Sequence, residues 1–167
     1  MMDMNFRTKR SSLTDDLRKL SGILESPIFS QWFGSSRVVK GNGEPLVVYH
    51  GTTKGVDFSE FRSPAFFTND ADFASRYACC EGDAVIPVYL RIERPIYIDV
   101  LAHDLGADAE ELANDPVWVS EQIRAGKDGM IVRDNEVFTY VVFSAGQIKS
   151  AIGNNGSFDA RNPDITM

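Results

Sequence analysis

Cysteine and histidine are scarce in this sequence. Its 167 residues include two of each, and the two cysteines, Cys79 and Cys80, are adjacent. Neighbouring residues rarely reach disulfide geometry with each other, and neither cysteine has a Cys or His partner at metal-ligand spacing. The sequence therefore predicts no disulfide framework and no metal site, and it suits a reducing compartment.

Positive charge and long apolar runs are lacking too. The 17 Lys and Arg are outnumbered by 24 Asp and Glu, giving a net charge of −7. A general affinity for phosphate backbones needs a concentrated basic face, so we do not expect one, and the short basic run 7–10 is interpreted as a solvated tail. No segment resembles a signal peptide or a membrane span. We expect a cytoplasmic protein without membrane association.

The length suits one domain with a single core. Leu13, Leu17, Leu20 and Leu24 recur at helical spacing and predict a helix over 12–24. We therefore expect a tail and helix over 1–26, then a globular domain over 27–167, in a monomer. Within that domain the aromatic segment 27–34 indicates a short helix docked on the core.

Short β-rich segments and helical segments alternate along the rest of the chain, which predicts an α+β fold with six or so strands. We expect a first strand over 46–50, which ends at His50, and a second over 65–68. A helix over 71–80, capped by Asn69-Asp70, and a kinked strand over 84–100 should follow. The rest should form helices over 108–114 and 117–124 split by Pro116, a hairpin over 129–143 and a last strand over 147–152. The tail from Gly153 onward should be an irregular surface segment.

His50 is the better candidate of the two histidines for a ligand site. It ends an apolar segment directly before Gly51, whereas His103 lies in the acidic stretch 101–110. An imidazole can donate to a ribose hydroxyl, and a residue without Cβ lets a ligand approach the backbone. Taken alone, His-Gly-Thr is more often a structural feature.

Three motifs together favour the ligand interpretation. Tyr49-His50-Gly51-Thr52 is followed by the aromatic pair Phe66-Phe67, and Tyr77 comes eleven residues after Phe66. This pattern resembles the diphtheria-toxin and poly(ADP-ribose) polymerase branch of the ADP-ribosyltransferases. From Pro27 to Ile165 the chain is similar to the ADP-ribosyltransferase-like domains of phage and mobile-element polyvalent proteins, through Gln31-Trp32-Phe33-Gly34, Gly43-Glu44-Pro45, Val141-Val142-Phe143 and Gln147-Ile148-Lys149-Ser150-Ala151-Ile152.

The resemblance implies a split β-sheet with N-terminal and inserted helices, and it implies NAD as the substrate. His50 would bond a ribose hydroxyl, the Gly51 backbone would meet the nicotinamide amide, and Tyr77 would stack on the nicotinamide ring. The NAD-binding residues implied in this way are His50, Gly51, Thr52, Phe66, Phe67 and Tyr77. The reaction would break the nicotinamide–ribose bond through an oxocarbenium-like state, followed by capture by a nucleophile.

The sequence departs from the family pattern at two places. Phe66 stands where a Tyr is usual, and Thr139 stands where a late strand carries a Glu that bonds a ribose hydroxyl. Glu136 is the nearest carboxylate, but it lies three positions before Thr139, so the two point to opposite faces of a regular strand. A bulge or longer turn at Asp134-Asn135-Glu136 would change this parity. The predicted catalytic residues are therefore His50 with Glu136 or Thr139.

The resulting prediction is a mono-ADP-ribosyltransferase, a toxin or effector of a phage or mobile element that is delivered into a host cell. The acidic net charge favours a protein over a nucleic-acid acceptor. Two alternatives stay open. Phe66 and Thr139 also fit a weak or inactive NAD-binding module of the same fold, and water as acceptor would make the protein an NAD glycohydrolase toxin.

Overall fold

The computed structural model describes residues 21–53, 59–78, 84–103 and 108–167. Residues 21–24 are helical, which agrees with the end of the helix predicted over 12–24, and the rest of that prediction lies outside the described residues. In the described part of the chain, no helix has the length and apolar character needed to cross a membrane.

Seven strands form one mixed sheet in the order β4-β5-β6-β2-β1-β3-β7. Neighbouring strands are antiparallel except β4 and β5, which are parallel. The strands are β1 (Val48–Thr52), β2 (Ala65–Thr68), β3 (Ala84–Leu90), β4 (Pro95–Asp99), β5 (Gly129–Asp134), β6 (Val137–Val142) and β7 (Ile148–Ser150). With the helices that follow, this confirms the predicted α+β class.

Short helices fill the connections, and local capping sets the starts of several of them. They are α1 (Pro27–Phe33), α2 (Ala71–Ser75), α3 (Val100–His103), α4 (Asp108–Asn114) and α5 (Pro116–Arg124), with a 3₁₀ turn at Ala145–Gln147. Asp115 caps α5 by accepting hydrogen bonds from two backbone N–H groups, and Pro116 begins the helix, where its missing N–H costs nothing. The predicted break at Pro116 is confirmed.

The two faces of the sheet are covered differently. One face packs against loops and the C-terminal tail, through a cluster that includes Val48, Phe67, Val88, Tyr140 and Ile165. On the other face, α4 and α5 cover the β5–β6 half through Ala113 and Val119, and α1 covers the β3–β7 half, as expected, through Phe29, Trp32 and Tyr89.

The C-terminal tail is irregular but is part of the core, so its prediction as a surface segment is wrong in that respect. Phe158 and Ile165 are each 4% exposed. Buried Lys149 donates through Nζ to the carbonyl oxygens of Asn162 at 2.9 Å and Asp164 at 2.8 Å. Ile165 itself links β7 to the segment before Phe61, because it accepts from the Ser150 N–H and donates to the Ser59 carbonyl.

Three predicted elements need correction. The kinked strand over 84–100 is two strands in different parts of the sheet, because the carboxylate of Asp128 accepts from the N–H groups of Glu93 and Arg94 and holds the chain beside β5. β1 continues to Thr52, so His50 lies within the strand and not at its end. Helix α2 ends at Ser75, which leaves Tyr77 beyond the helix.

Candidate active site

The sheet opens between β1 and β2. β1 pairs with β3 at all five of its residues, but with β2 it pairs only at Tyr49 and Thr68. β2 in turn pairs with β6 along its whole length. The two halves of the sheet therefore separate at this junction, which confirms the predicted split sheet.

A cavity of about 370 Å³ lies at this opening. Its wall is mainly apolar and aromatic with a few polar groups, the composition expected of a small-molecule site of this size. The lining residues are Tyr49, His50 and Gly51 on β1, Phe66, Phe67 and Thr68 on β2, Phe73, Ala74 and Tyr77 in and after α2, Val132 and Asp134 on β5, Thr139 and Val141 on β6, and Val100, Ala109 and Glu110 on α3 and α4.

The His50 ring is fixed by one hydrogen bond and two aromatic neighbours. Its Nδ1 lies 2.8 Å from the Phe66 carbonyl oxygen, and its ring centroid lies 4.9 Å from that of Phe61 and 5.5 Å from that of Phe67. A carbonyl oxygen only accepts, so Nδ1 carries the proton, and in the neutral ring Nε2 is an acceptor. His50 can therefore accept from a ribose hydroxyl through Nε2, which reverses the direction expected from the sequence.

Burial keeps that neutral form dominant. Desolvation lowers the pKa of His50 below 6.5, and the hydrogen bond to the Phe66 carbonyl opposes this shift in part. The larger effect is desolvation, because a charged imidazolium is costly in an apolar wall.

Gly51 is required by the approach of α2. A Cβ at this position would overlap the backbone carbonyl of Ala74 and press on the Cβ of Tyr77. The sequence predicts that a ligand approaches Gly51 closely, and this stays a prediction; the structure shows that α2 approaches it as well. The missing side chain lets α2 rest against β1 and form one wall of the cavity.

The start of α2 is equally well determined. The Asp70 side chain accepts from the N–H groups of Asp72 and Phe73, which directs the helix so that Phe73 and Tyr77 reach the cavity. Their rings meet edge to face at a centroid distance of 5.7 Å. Tyr77 is 60% exposed, so most of its ring surface is open to a ligand.

The opposite wall of the cavity includes Thr139, the position at which the family resemblance implies a glutamate. Thr139 lies in the β6 segment that pairs with both β2 and β5, and it lines the cavity. Glu136 lies in the turn before β6, is exposed, and is outside the described cavity lining. Among the described residues, the carboxylates that do line the cavity are Asp134 and Glu110.

The structure thus brings most of the predicted site together. His50, Gly51, Phe66, Phe67, Tyr77 and Thr139 surround one cavity, whereas Thr52 and Glu136 lie outside its described lining. Sequence reasoning missed Phe73, Glu110 and Asp134. The signal for Phe73 was present, since it precedes Tyr77 by one helical turn. Within the described ranges no group of three or more His, Cys, Asp and Glu residues could hold a metal ion.

A family model described as ADP-ribosyltransferase in polyvalent proteins matches residues 40–158, which is more than two thirds of the chain. The chain belongs to this family, and the protein is an ADP-ribosyltransferase domain. Comparisons with curated proteins and with solved structures gave no match. The cavity lies within the matched region, since its lining residues run from Tyr49 to Val141.

Proposed function

We propose that the protein is a mono-ADP-ribosyltransferase that cleaves NAD and transfers one ADP-ribose to a macromolecular acceptor. The observation that carries this proposal is the position of His50, which the Phe66 carbonyl orients at the opening of the sheet, in a cavity with an exposed tyrosine at its edge. The NAD-binding roles of Gly51, Thr52, Phe66 and Phe67 belong to the same proposal.

In this proposal the nicotinamide end of NAD enters the cavity. The Tyr77 ring stacks on the nicotinamide, and Nε2 of His50 accepts a hydrogen bond from a ribose hydroxyl. Holding the ribose and the leaving group in this way lowers the barrier through orientation, while groups that oppose the developing positive charge lower it further. A cavity of about 370 Å³ suits one end of a dinucleotide, with the other end lying outside it.

Thr139 supports transfer of a single unit. The family's glutamate is absent from this position, and by resemblance an altered third residue accompanies mono- rather than poly-ADP-ribosylation. The net charge of −7 favours a protein acceptor over a nucleic acid. We also propose that the acceptor belongs to a host cell reached through a phage or mobile element, where the protein acts as an effector.

The test is to incubate the purified chain with NAD labelled in the adenylate half and with a host-cell extract. We expect labelled protein, with nicotinamide released in equal amount, and neither product from His50→Ala that retains its thermal midpoint. Absence of both label and nicotinamide under all conditions would contradict the proposal and leave an NAD-binding module.

A glycohydrolase is the second candidate, because Asp134 and Glu110 at the cavity wall are exposed and water can reach them. Product analysis separates the two reactions. Free ADP-ribose as the main product, with no label on protein or nucleic acid, would identify water as the acceptor.

A further inference from the structure

We propose that Asp134 is the carboxylate that stabilises the cationic ribose, in place of a glutamate at position 139. The inference rests on the proposed function, since it assigns a catalytic residue of the same site. It follows from the register of the β5–β6 hairpin, from the contacts of the turn and from the cavity wall.

The register places Asp134 beside the position of the missing glutamate. Thr139 lies directly opposite Val132, and Asp134 is two residues further along β5. Residues two apart on a strand share a face, so Asp134 and Thr139 face the same side as diagonal neighbours. Diagonal neighbours lie roughly 7–8 Å apart, within reach of the longer side chains. Both residues line the cavity, and a carboxylate on β5 can therefore serve the space that a glutamate on β6 would serve.

The turn holds the Asp134 carboxylate in position. The Asn135 side-chain amide donates to Asp134 Oδ1 at 3.0 Å. Asn135 has φ of 55°, a left-handed conformation that asparagine tolerates in turns. The bond engages Oδ1, and Oδ2, as the second oxygen of a carboxylate, can accept from a ribose hydroxyl.

The other two acidic candidates are placed less well. Glu136 contributes only its carbonyl oxygen to a described contact, accepting from the Asn69 amide at 3.2 Å, and its side chain is exposed in the turn. Glu110 does line the cavity, but it lies on helix α4 and not on the sheet face that Asp134 and Thr139 have in common. Of these three carboxylates, Asp134 is the one that both lines the cavity and lies on the same face of the sheet as Thr139.

The bond between ribose C1′ and the nicotinamide nitrogen breaks, and its electron pair stays on the nitrogen, which gives neutral nicotinamide and a cationic ribose. A lone pair of the acceptor then forms the new bond to C1′, and the acceptor's proton leaves to water. Asp134 bonds a ribose hydroxyl and opposes the positive charge while it develops.

The test compares nicotinamide release by three charge-neutralised variants. Asp134→Asn should lower kcat by about 10²-fold with a KM for NAD within about threefold of wild type, since the lost interaction belongs to the transition state. Glu136→Gln, two residues away in the same turn, is the control and should stay within about threefold, whereas Glu110→Gln, at the cavity wall, should lose less activity than Asp134→Asn. Asp134 is exposed, so the thermal midpoint of Asp134→Asn should not change, and this control excludes a folding defect.

A relocation variant makes the test sharper. Adding Thr139→Glu to Asp134→Asn should restore activity by at least about tenfold, because it returns a carboxylate to the same face of the cleft. Wild-type turnover by Asp134→Asn would overturn the inference and leave the proposed function standing. A larger loss of turnover in Glu136→Gln or Glu110→Gln than in Asp134→Asn would have the same meaning. A loss that Thr139→Glu does not restore would also overturn it. Absence of nicotinamide release from the unaltered chain would overturn both proposals.

Discussion

His50 and Phe66 join the two halves of the sheet where the backbone ladder between them ends. β1 and β2 pair only at Tyr49 and Thr68, and the next link is the 2.8 Å hydrogen bond from His50 Nδ1 to the Phe66 carbonyl. A side chain thus replaces a ladder bond at the opening of the cleft. The same bond fixes the tautomer of the residue proposed to contact the ribose, so opening of the sheet and orientation of the histidine are coupled.

This coupling predicts a pH dependence. Burial lowers the pKa of His50 below 6.5, and the neutral ring is the form whose Nε2 accepts. Nicotinamide release should therefore be level above pH 6.5 with respect to His50 and should fall as the pH drops through its lower folded-state pKa. In the unfolded chain the ring takes up its proton near 6.5, so the free energy of unfolding should decrease as the pH falls from 6.5 towards the lower folded-state pKa.

Rate and urea-unfolding profiles from pH 7.5 down to about pH 5 would check this prediction, with His50→Gln as the reference because Gln does not titrate. The difference between the two unfolding profiles gives the contribution of His50 to the pH dependence of the free energy of unfolding, separately from that of the carboxylates. A rate that rises on acidification would show that the charged imidazolium is the active form and would contradict the assignment.

Gly51→Ala should damage both the stability and the site. The added Cβ would overlap the Ala74 carbonyl, a backbone atom that cannot move without α2. We expect a loss of about 1–3 kcal/mol in the free energy of unfolding, the usual cost of overpacking, together with a displaced Tyr77 and weaker NAD binding. Urea unfolding measures the first effect. Gly41→Ala is the matched control, because nothing lies within 4 Å of its Cβ position, and equal stability of the two variants would contradict the packing argument.

Features set by local contacts could be predicted from the sequence, whereas features set by long-range contacts could not. Asp70, Asp115 and Pro116 set helix starts through contacts within a few residues, so the beginnings of α2 and α5 could be predicted. The separation of β3 from β4 depends on Asp128, whose carboxylate accepts from the N–H groups of Glu93 and Arg94, more than 30 residues away in sequence. No local pattern in 84–100 records that contact, and a single kinked strand was the natural but wrong expectation.

The same contrast applies to the site. His50 and Tyr77 belong to motifs with fixed spacing and could be singled out from the sequence. Asp134 could not, because the sequence predicts a turn at this position and the face that its side chain takes depends on the register between β5 and β6. The sequence favours Glu136 as the carboxylate nearest to Thr139, whereas the structure places Asp134 at the cavity wall. Its catalytic role stays a prediction, which the variant comparison above decides.

Tyr77→Ala should raise the KM for NAD about tenfold, because stacking of an aromatic ring on a nucleotide base contributes about 1–3 kcal/mol. Tyr77→Phe keeps the ring and should remain within about threefold of wild type, since the proposed contact is stacking and not a hydrogen bond. Tyr97→Ala is a matched control. Tyr97 is 62% exposed, close to the 60% of Tyr77, and lies on β4 outside the cavity lining. A large effect of Tyr77→Phe would indicate that the hydroxyl matters instead.

Lys149→Met should release the C-terminal tail and, through it, disturb the site. The ammonium holds the carbonyls of Asn162 and Asp164, and its pKa is lowered mainly by burial, with Asp159 and Asp164 opposing that shift. Loss of the charged hydrogen bonds should cost about 1–3 kcal/mol, reduced in part because Met avoids burial of a charge. Since Ile165 donates to Ser59 just before Phe61, and Phe61 packs on His50, kcat should fall together with stability.

Limited proteolysis of the tail, urea unfolding and nicotinamide release would be measured on the same variant. Lys40→Met is the control, because Lys40 is exposed and its side chain forms a surface ion pair with Glu44. A tail that is cleaved while His50 keeps its pH profile would separate tail anchoring from the site. In that case the contacts from Lys149 through Ile165 and Phe61 stabilise the fold without orienting the histidine.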